Sequence, residues 1–259
     1  MDSTAYLLKE RQKMIRDRLA RHGRVMAGDL AVEFEVSEDT IRRDLRELAA
    51  AGFCQRVYGG ALAPDRPMSE RLTQAPERKA ALAAAAAPLI EPHMTVFFDA
   101  GSTNLAIAQT LPTGMKLTAA TNAPVIAAAL VGRSDIEVIM IGGRIDDTVG
   151  GAIDAKAMRD AEMLRPDLLV LGTCGLDLAS GITSTRFDDA AFKRCVAERS
   201  RSVLAAVTTE KIGVPAPYAV VPVAHCSHIV VEHDCEARDA AAIAAEGPSL
   251  VRALAPGKP

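Results

Sequence analysis

No stretch of this chain stays apolar for the roughly 18 residues that a membrane-crossing helix needs. The longest candidate, residues 80–90, is short and is interrupted by Pro88. The N-terminus lacks the apolar core of a secretory signal and carries Lys9, Glu10 and Arg11 instead. A cytoplasmic chain that does not enter a membrane is therefore expected. No Cys-x-x-Cys pair occurs among Cys54, Cys174, Cys195, Cys226 and Cys235, and their odd number fits reduced thiols rather than a disulfide framework. Bulk charge is lacking too. The formal net charge is −3, with 11 Lys and Arg against 10 Asp and Glu up to Gly60 and 19 against 23 beyond it. That balance excludes a uniformly basic nucleic-acid coat, so any DNA binding has to rest on where single arginines sit.

What is present is the composition of a globular protein, 49% hydrophobic and 24% charged over 259 residues, enough for one large domain or two ordinary ones. His225, Cys226, His228, His233 and Cys235 cluster as zinc ligands sometimes do. However, residues 228–232 read as a strand, which at about 3.3 Å per residue sets His228 and His233 roughly 16 Å apart. No metal is expected, nor any cofactor.

The first segment has helical periodicity through Leu7, Leu8, Met14, Ile15 and Leu19, and it ends at His22-Gly23. A short second helix is expected over 27–34, then a turn at Glu35-Val36. Ser37 is placed to cap a third helix that runs to about Ala51 before Gly52. Residues 53–58 alternate as a strand. At about 100° per residue, Ile41, Leu45 and Leu48 share one face of the third helix. Asp39, Arg43, Arg46 and Ala50 share the opposite face, flanked by Thr40, Arg42 and Glu47. Such a face suits the major groove, where arginine bonds guanine edges and other arginines take phosphates. Arg56 and Tyr58 are placed to reach the DNA backbone as a wing. Taken alone, the same arginines also read as a solvated face paired to Asp39, Asp44 and Glu47.

Residues 62–76, with Pro64, Pro67 and Pro76, read as a linker between an N-terminal domain (1–61) and a larger domain (77–259). An alanine-rich helix is expected over 77–90. Beyond it, strands at 95–98, 117–120, 137–141, 168–171, 203–206 and 228–231 alternate with helices at 103–110, 124–131, 155–164, 188–199 and 237–255. That alternation implies an α/β domain with a mainly parallel sheet.

Several polar groups fall at strand ends, where ligands of open α/β sheets bind. Asp99, Gly101, Ser102 and Thr103 lie between a strand and a helix. They read either as a plain helix start or as a phosphate site with Asp99 accepting sugar hydroxyls. Asn122 follows the next strand, Gly142, Gly143 and Arg144 the one after, and Gly175 and Asp177 another. Lys193 and Lys211 follow later elements, and either residue can be a solvated charge or an anion ligand.

The run Val36-Ser37-x-x-Thr40-Ile41-Arg42-Arg43-Asp44-Leu45, then Leu48, Gly52 and Arg56-Val57-Tyr58-Gly59-Gly60-Ala61, resembles the signature of the DeoR (deoxyribose operon repressor) family of transcriptional regulators. The match spans the whole first module. The resemblance implies a winged helix-turn-helix that binds a double-stranded DNA operator through Ser37, Asp39, Thr40, Arg42, Arg43, Arg46, Arg56 and Tyr58. From Glu77 onward the chain resembles that family's effector domain, which is similar to ribose-5-phosphate isomerase. In the family, positions matching Asp99 to Thr103, Thr121-Asn122, Gly142 to Arg144, Lys193 and Lys211 surround a phosphorylated sugar. Two departures stand out: Thr173-Cys174-Gly175 where many members have Ala-Asp-Gly, and Thr208 where many have aspartate. The expectation is a homo-oligomeric, non-enzymatic repressor of a carbohydrate operon. The alternative is a sugar-phosphate isomerase or acyltransferase carrying a DNA-binding head, with Asp99 or Asp177 as base.

Overall fold

The computed structural model describes residues 8–64 and 66–257. Leu7, which the periodicity adds to the first helix, lies outside them, as do the ends of both expected domains. The N-terminal module comprises α1 (Leu8–His22), β1 (Arg24–Met26), α2 (Ala27–Glu33), α3 (Glu38–Ala50), β2 (Gln55–Val57) and β3 (Gly60–Leu62). Ser37 has extended backbone, and its Oγ accepts the Thr40 N–H at 3.2 Å, satisfying one donor that the helix start leaves open. Ile41, Leu45 and Leu48 pack with Ile15, Leu19, Leu30 and Phe34 in a core separate from that of the larger domain. Each such burial contributes about 1.5–3 kcal/mol. The strands pair antiparallel in the order β1-β3-β2. Gly59, at φ +78°, makes the hairpin turn that leaves Tyr58 91% exposed at its tip.

The segment expected to be a linker contains a helix instead, α4 (Met68–Thr73). It is tied to the larger domain at three points. Met68 is buried and its N–H donates to the Asp147 carbonyl at 3.0 Å, while Arg71 donates to the carbonyls of Thr148 and Val149 at 2.5 and 2.9 Å. Proline spacing and charge cannot reveal such docking, because the partners lie about eighty residues away.

The larger domain runs α5 (Pro76–Ala86), β4 (Thr95–Phe98), α6 (Ser102–Thr110), β5 (Leu117–Thr121), α7 (Pro124–Leu130), β6 (Ile136–Met140), β7 (Ile145–Asp146), β8 (Gly151–Ala152), α8 (Ala155–Ala161), β9 (Leu168–Leu171), β10 (Gly175–Asp177), β11 (Gly181–Ser184), α9 (Phe187–Ala197), β12 (Ser202–Val207), β13 (Tyr218–Val221), β14 (His228–Val231), α10 (Ala237–Ala245) and β15 (Ser249–Arg252). Seven strands form one sheet in the order β15-β14-β12-β9-β4-β5-β6, with every neighbouring pair parallel. Helix expectation fails at 249–252. The helical reading of 237–255 ends at Gly247, whose φ of +116° breaks the helix before Pro248, and β15 follows.

Strand order decides where a ligand can go. From β4 the chain builds outward through β5 and β6, then returns to the other side of β4 with β9 and builds outward again. Loops leaving β4 and β9 therefore diverge and open a crevice at their carboxyl ends. The join beneath is tight. Asp99 accepts the Gly172 N–H at 2.9 Å, and Asn104 Nδ2 donates to the carbonyls of Asp99 and Val170 at 2.8 and 3.0 Å. Gly172 has to be glycine here, because a Cβ would lie 2.6 Å from the Ala100 carbonyl oxygen.

Candidate functional site

On α3 the expected reading face is open. Arg43 keeps 78% of its side chain exposed and lies 3.6 Å from Glu47, while Arg42 pairs with Glu38 at 2.5 Å and Asp39 at 3.6 Å. These are solvated pairs between neighbouring turns, each worth roughly 0.3–0.5 kcal/mol, so little holds either arginine back from DNA. Asp39, Arg46, Arg56 and Tyr58 are exposed as well. Asp44 behaves differently: it is buried and forms a two-point pair with Arg11 of α1, which orients α3 on the helix that crosses it.

The second site is a cleft of about 170 Å³ at the switch point. Gly101, Ser102 and Thr103 form its floor from the β4 side, and Thr173 and Cys174 from the β9 side. Gly101 provides no side-chain cap to α6, so the first backbone N–H groups of that helix have no intrahelical acceptor and favour an anion. Among the described residues, Arg66, Arg71, Arg78, Lys79, Arg186, Lys193 and Lys211 line the cleft against two carboxylates, Asp189 and Glu210.

The cations are not equivalent. Lys193 is 4% exposed, bonded to Asp189 and 3.4 Å from Asp99. Burial opposes its charge, but the two carboxylates outweigh burial and hold it well above the usual lysine range. Asp99 is pushed up to about 6, first by burial and then by Asp189, against the pull of Lys193. One ammonium thus serves two carboxylates. Asp99 keeps one oxygen, Oδ1, without a hydrogen bond among the described residues, and Thr173 Oγ1 is in the same state. Both atoms are closed to solvent, Thr173 in the cleft wall and Asp99 behind it, and a ligand hydroxyl that reached them would supply the missing bond. Lys79 is lowered to about 8, chiefly by burial and then by Lys211 and Arg71. Lys211 is lowered for the same first reason, and its Nζ donates to the Thr173 carbonyl at 2.8 Å. Neighbouring cations add to the burial at each: Lys211 and Arg71 at Lys79, and Arg71 and Lys193 at Lys211.

Of the expected effector residues, the cleft gathers Gly101, Ser102, Thr103, Lys193 and Lys211, with Asp99 directly beneath. Asn122 does not line it: its amide oxygen accepts the Ala100 N–H and its Nδ2 donates to the Ala152 carbonyl, so it braces the β4 loop from behind. Gly142, Gly143 and Arg144 do not line it either. Gly143 approaches Asp154, which also accepts the Arg144 N–H at 2.9 Å, and Arg144 faces a separate groove beside Phe187. Gly175 is fixed by packing, since a Cβ would lie 2.3 Å from the Val214 carbonyl, and Asp177 caps its own turn through Ala179 and Ser180. Sequence reasoning missed Arg66, Arg71, Arg78 and Lys79, all on or beside α4 and α5. Their charges were readable, but their convergence on the ends of β4 and β9, about 30 and about 100 residues later, was not.

Two family models match this chain, one over each domain. Residues 11–66 match the DeoR-like helix-turn-helix domain, and residues 74–233 match the DeoR C terminal sensor domain. The chain is 31% identical over 208 residues to the glycerol-3-phosphate regulon repressor of Escherichia coli strain K12, which spans 79% of this chain and 82% of that one. It is 33% identical over 182 residues to the HTH-type transcriptional regulator GlpR of Haloferax volcanii, spanning 68% and 71%. Among solved structures, ribose 5 phosphate isomerase A of Neisseria gonorrhoeae overlaps 55% of each chain at 15% identity, with a TM-score of 0.39.

Proposed function

This chain belongs to the DeoR family of DNA-binding transcriptional regulators, and on that premise we propose that it represses a carbohydrate-utilisation operon and leaves its operator when a phosphorylated sugar or sugar alcohol fills the cleft. The observation that carries this reading is the cationic cleft over the uncapped start of α6, at the point where strand order reverses. The phosphate takes the N–H groups of Ser102 and Thr103 together with Arg71, Lys79 and Lys211, through charge-assisted bonds roughly twice as strong as neutral ones. Ligand hydroxyls take Asp99 Oδ1 and Thr173 Oγ1. The E. coli relative is named for a phosphorylated polyol, glycerol 3-phosphate, and that chemical class suits a cleft of about 170 Å³. Half-sites are read by paired heads, so the working form is a homo-oligomer, and its DNA target places it in the cytoplasm.

An isomerase is the weaker reading. Asp177, one of its two candidate bases, is outside the cleft, and Asp99 is shared with Lys193. The test is a gel shift on the operator with sugar phosphates and their unphosphorylated parents. Release by a phosphate but not by its parent is the expected result. Release only by an uncharged molecule, or turnover of a pentose phosphate by the purified chain, would overturn the proposal.

A further inference from the structure

One wall of the cleft is also the surface on which the DNA-reading head rests. Glu210 and Lys211 line the cleft from the short turn Thr209–Lys211. The next residue, Ile212, offers its carbonyl to the Arg24 guanidinium of β1, in the head's own sheet. Gly23 of the head lies over Glu210 itself, since a Cβ there would sit 3.4 Å from Glu210 Cγ and 3.6 Å from its Cβ. The turn is therefore a single piece of backbone with the ligand space on one side and the head on the other.

Arg78 is one of several holds on the turn; Thr209 Oγ1 also donates to Asp234 at 2.7 Å, Lys211 Nζ to the Thr173 carbonyl at 2.8 Å and the Gly213 N–H to the Leu176 carbonyl at 2.8 Å. Arg78 donates Nε to Glu232 at 2.5 Å and shares Nη2 between Glu232 and Glu210, the latter at 3.1 Å. Glu232 also accepts the Thr209 N–H at 2.6 Å, and Glu210 accepts the Thr208 hydroxyl at 2.7 Å. The two carboxylates are unequal partners. Glu232 is 3% exposed, whereas Glu210 is 34% exposed, so its pair with Arg78 is screened and easily exchanged. Arg78 lines the cleft as well.

We infer that residues 208–213 relay occupancy of the cleft to the head: a bound phosphate takes Arg78 from Glu210, the turn shifts, and the Arg24–Ile212 contact that docks the head is lost. This rests on the cleft being the effector site, and it adds the route by which that site reaches DNA. Phosphate is suited to the exchange because it brings more negative charge than the carboxylate it displaces, whereas an unphosphorylated sugar brings none. The docked head is the operator-binding arrangement, and the ligand selects the undocked one.

A cross-link tests the relay. Cβ atoms 3.6 Å apart suit a disulfide, so Gly23→Cys combined with Glu210→Cys locks the head to the turn on oxidation. Glu210→Cys alone, oxidised in parallel, controls for the native thiols. The probes are glycerol 3-phosphate, fructose 1-phosphate and glucose 6-phosphate, each first tried on the wild-type chain. Glu210→Cys alone should weaken operator binding without ligand, because Arg78 then holds the turn less firmly. Because Gly23 has φ +72°, the reference is the same double variant kept reduced: the cross-linked protein should bind the operator more tightly than that and should not release it with the active probe. Reciprocity requires it to bind that probe more weakly than the same double variant kept reduced, which has the same cleft lining, by about the tenfold factor by which the probe weakens operator binding to the reduced form. Release by the cross-linked protein at the wild-type probe concentration would overturn the relay while leaving the effector site standing. Failure of every probe on the wild type would remove the effector site and the relay together. If the double variant does not fold, hydrogen exchange on the wild type decides. The active probe should speed exchange in Arg24–Met26 and in the turn, and unchanged exchange in both with the cleft filled would count against the relay.

Discussion

Side by side on α3, Arg43 holds 78% of its side chain in solvent, whereas Asp44 is 1% exposed and bound to Arg11. The helical pattern already separated them, since Arg43 lies opposite the Ile41, Leu45 and Leu48 stripe. The sequence alone pairs Asp44 with the arginines of α3 itself; its partner is instead Arg11, 33 residues away and beyond the reach of local pattern. The two substitutions should therefore part company. Arg43→Ala is expected to weaken specific operator binding by about 1–3 kcal/mol with the melting curve unchanged. Asp44→Ala is expected to destabilise the head by about 3 kcal/mol, by breaking a buried charge pair. Urea unfolding and operator titration of both variants would check this, and a stable Asp44→Ala protein would contradict it. In the cleft, Lys193 shows the limit of reading single charges. Its spacing of four from Asp189 was a legible helical pair, but the third member, Asp99, arrives from a strand some ninety residues earlier. The lysine with the more telling charge is Lys79, lowered to about 8. It is charged below that pH and loses its proton above it. A sugar phosphate gains its second charge near pH 6, and Asp99 ionises near the same value. Ligand affinity should thus rise through about pH 6 and fall above about pH 8. Calorimetry across pH 5–9 checks it, and Lys79→Arg should move the alkaline limb upward. A limb that stays in place would remove Lys79 from the site.

Among elements, the six strands read from sequence were legible as short apolar runs between turn signals; β9 and β14, rich in Val, Leu and Ile, are buried on both faces, whereas the edge strand β6 is partly exposed. The seventh, β15, was hidden by the alanine-rich pattern of α10, although Gly247-Pro248 gave the stop. The small sheet β10-β11-β13 was not legible, since its strands have three or four residues each and alternate weakly. Helix α4 was missed for a different reason: its six residues have little helical pattern, and its position is fixed by contacts with residues 147–150. Gly150 is the key to that docking. It sits at φ +79°, and a Cβ would fall 2.6 Å from Met68. Gly150→Ala should push α4 and Arg71 away from the cleft. Sugar-phosphate affinity should fall about tenfold, equivalent to about 1.4 kcal/mol, while the main sheet stays folded. Undiminished affinity in a folded variant would show that α4 is not part of the site.

For the molecule as a whole, local pattern and the family resemblance gave a DeoR-type head and an α/β domain with a parallel sheet. They did not give the way the domains meet. The head contacts the larger domain through residues that carry no motif, Gly23 and Arg24 on one side and Glu210 and Ile212 on the other. The cleft lies behind that contact, lined by Thr103 at the start of α6. The central claim is that phosphate bound at this helix start drives release from DNA, and Thr103→Val tests it most directly. The change keeps the shape of the side chain, removes one hydroxyl donor and leaves α3 untouched. Operator binding should be measured by gel shift for wild type and variant across concentrations of a sugar phosphate that releases the wild type. The account predicts that the variant binds the operator as the wild type does but needs roughly 5 to 150 times more ligand to release it, the span of a coupling of about 1–3 kcal/mol. Release of the variant at the wild-type concentration would contradict the account.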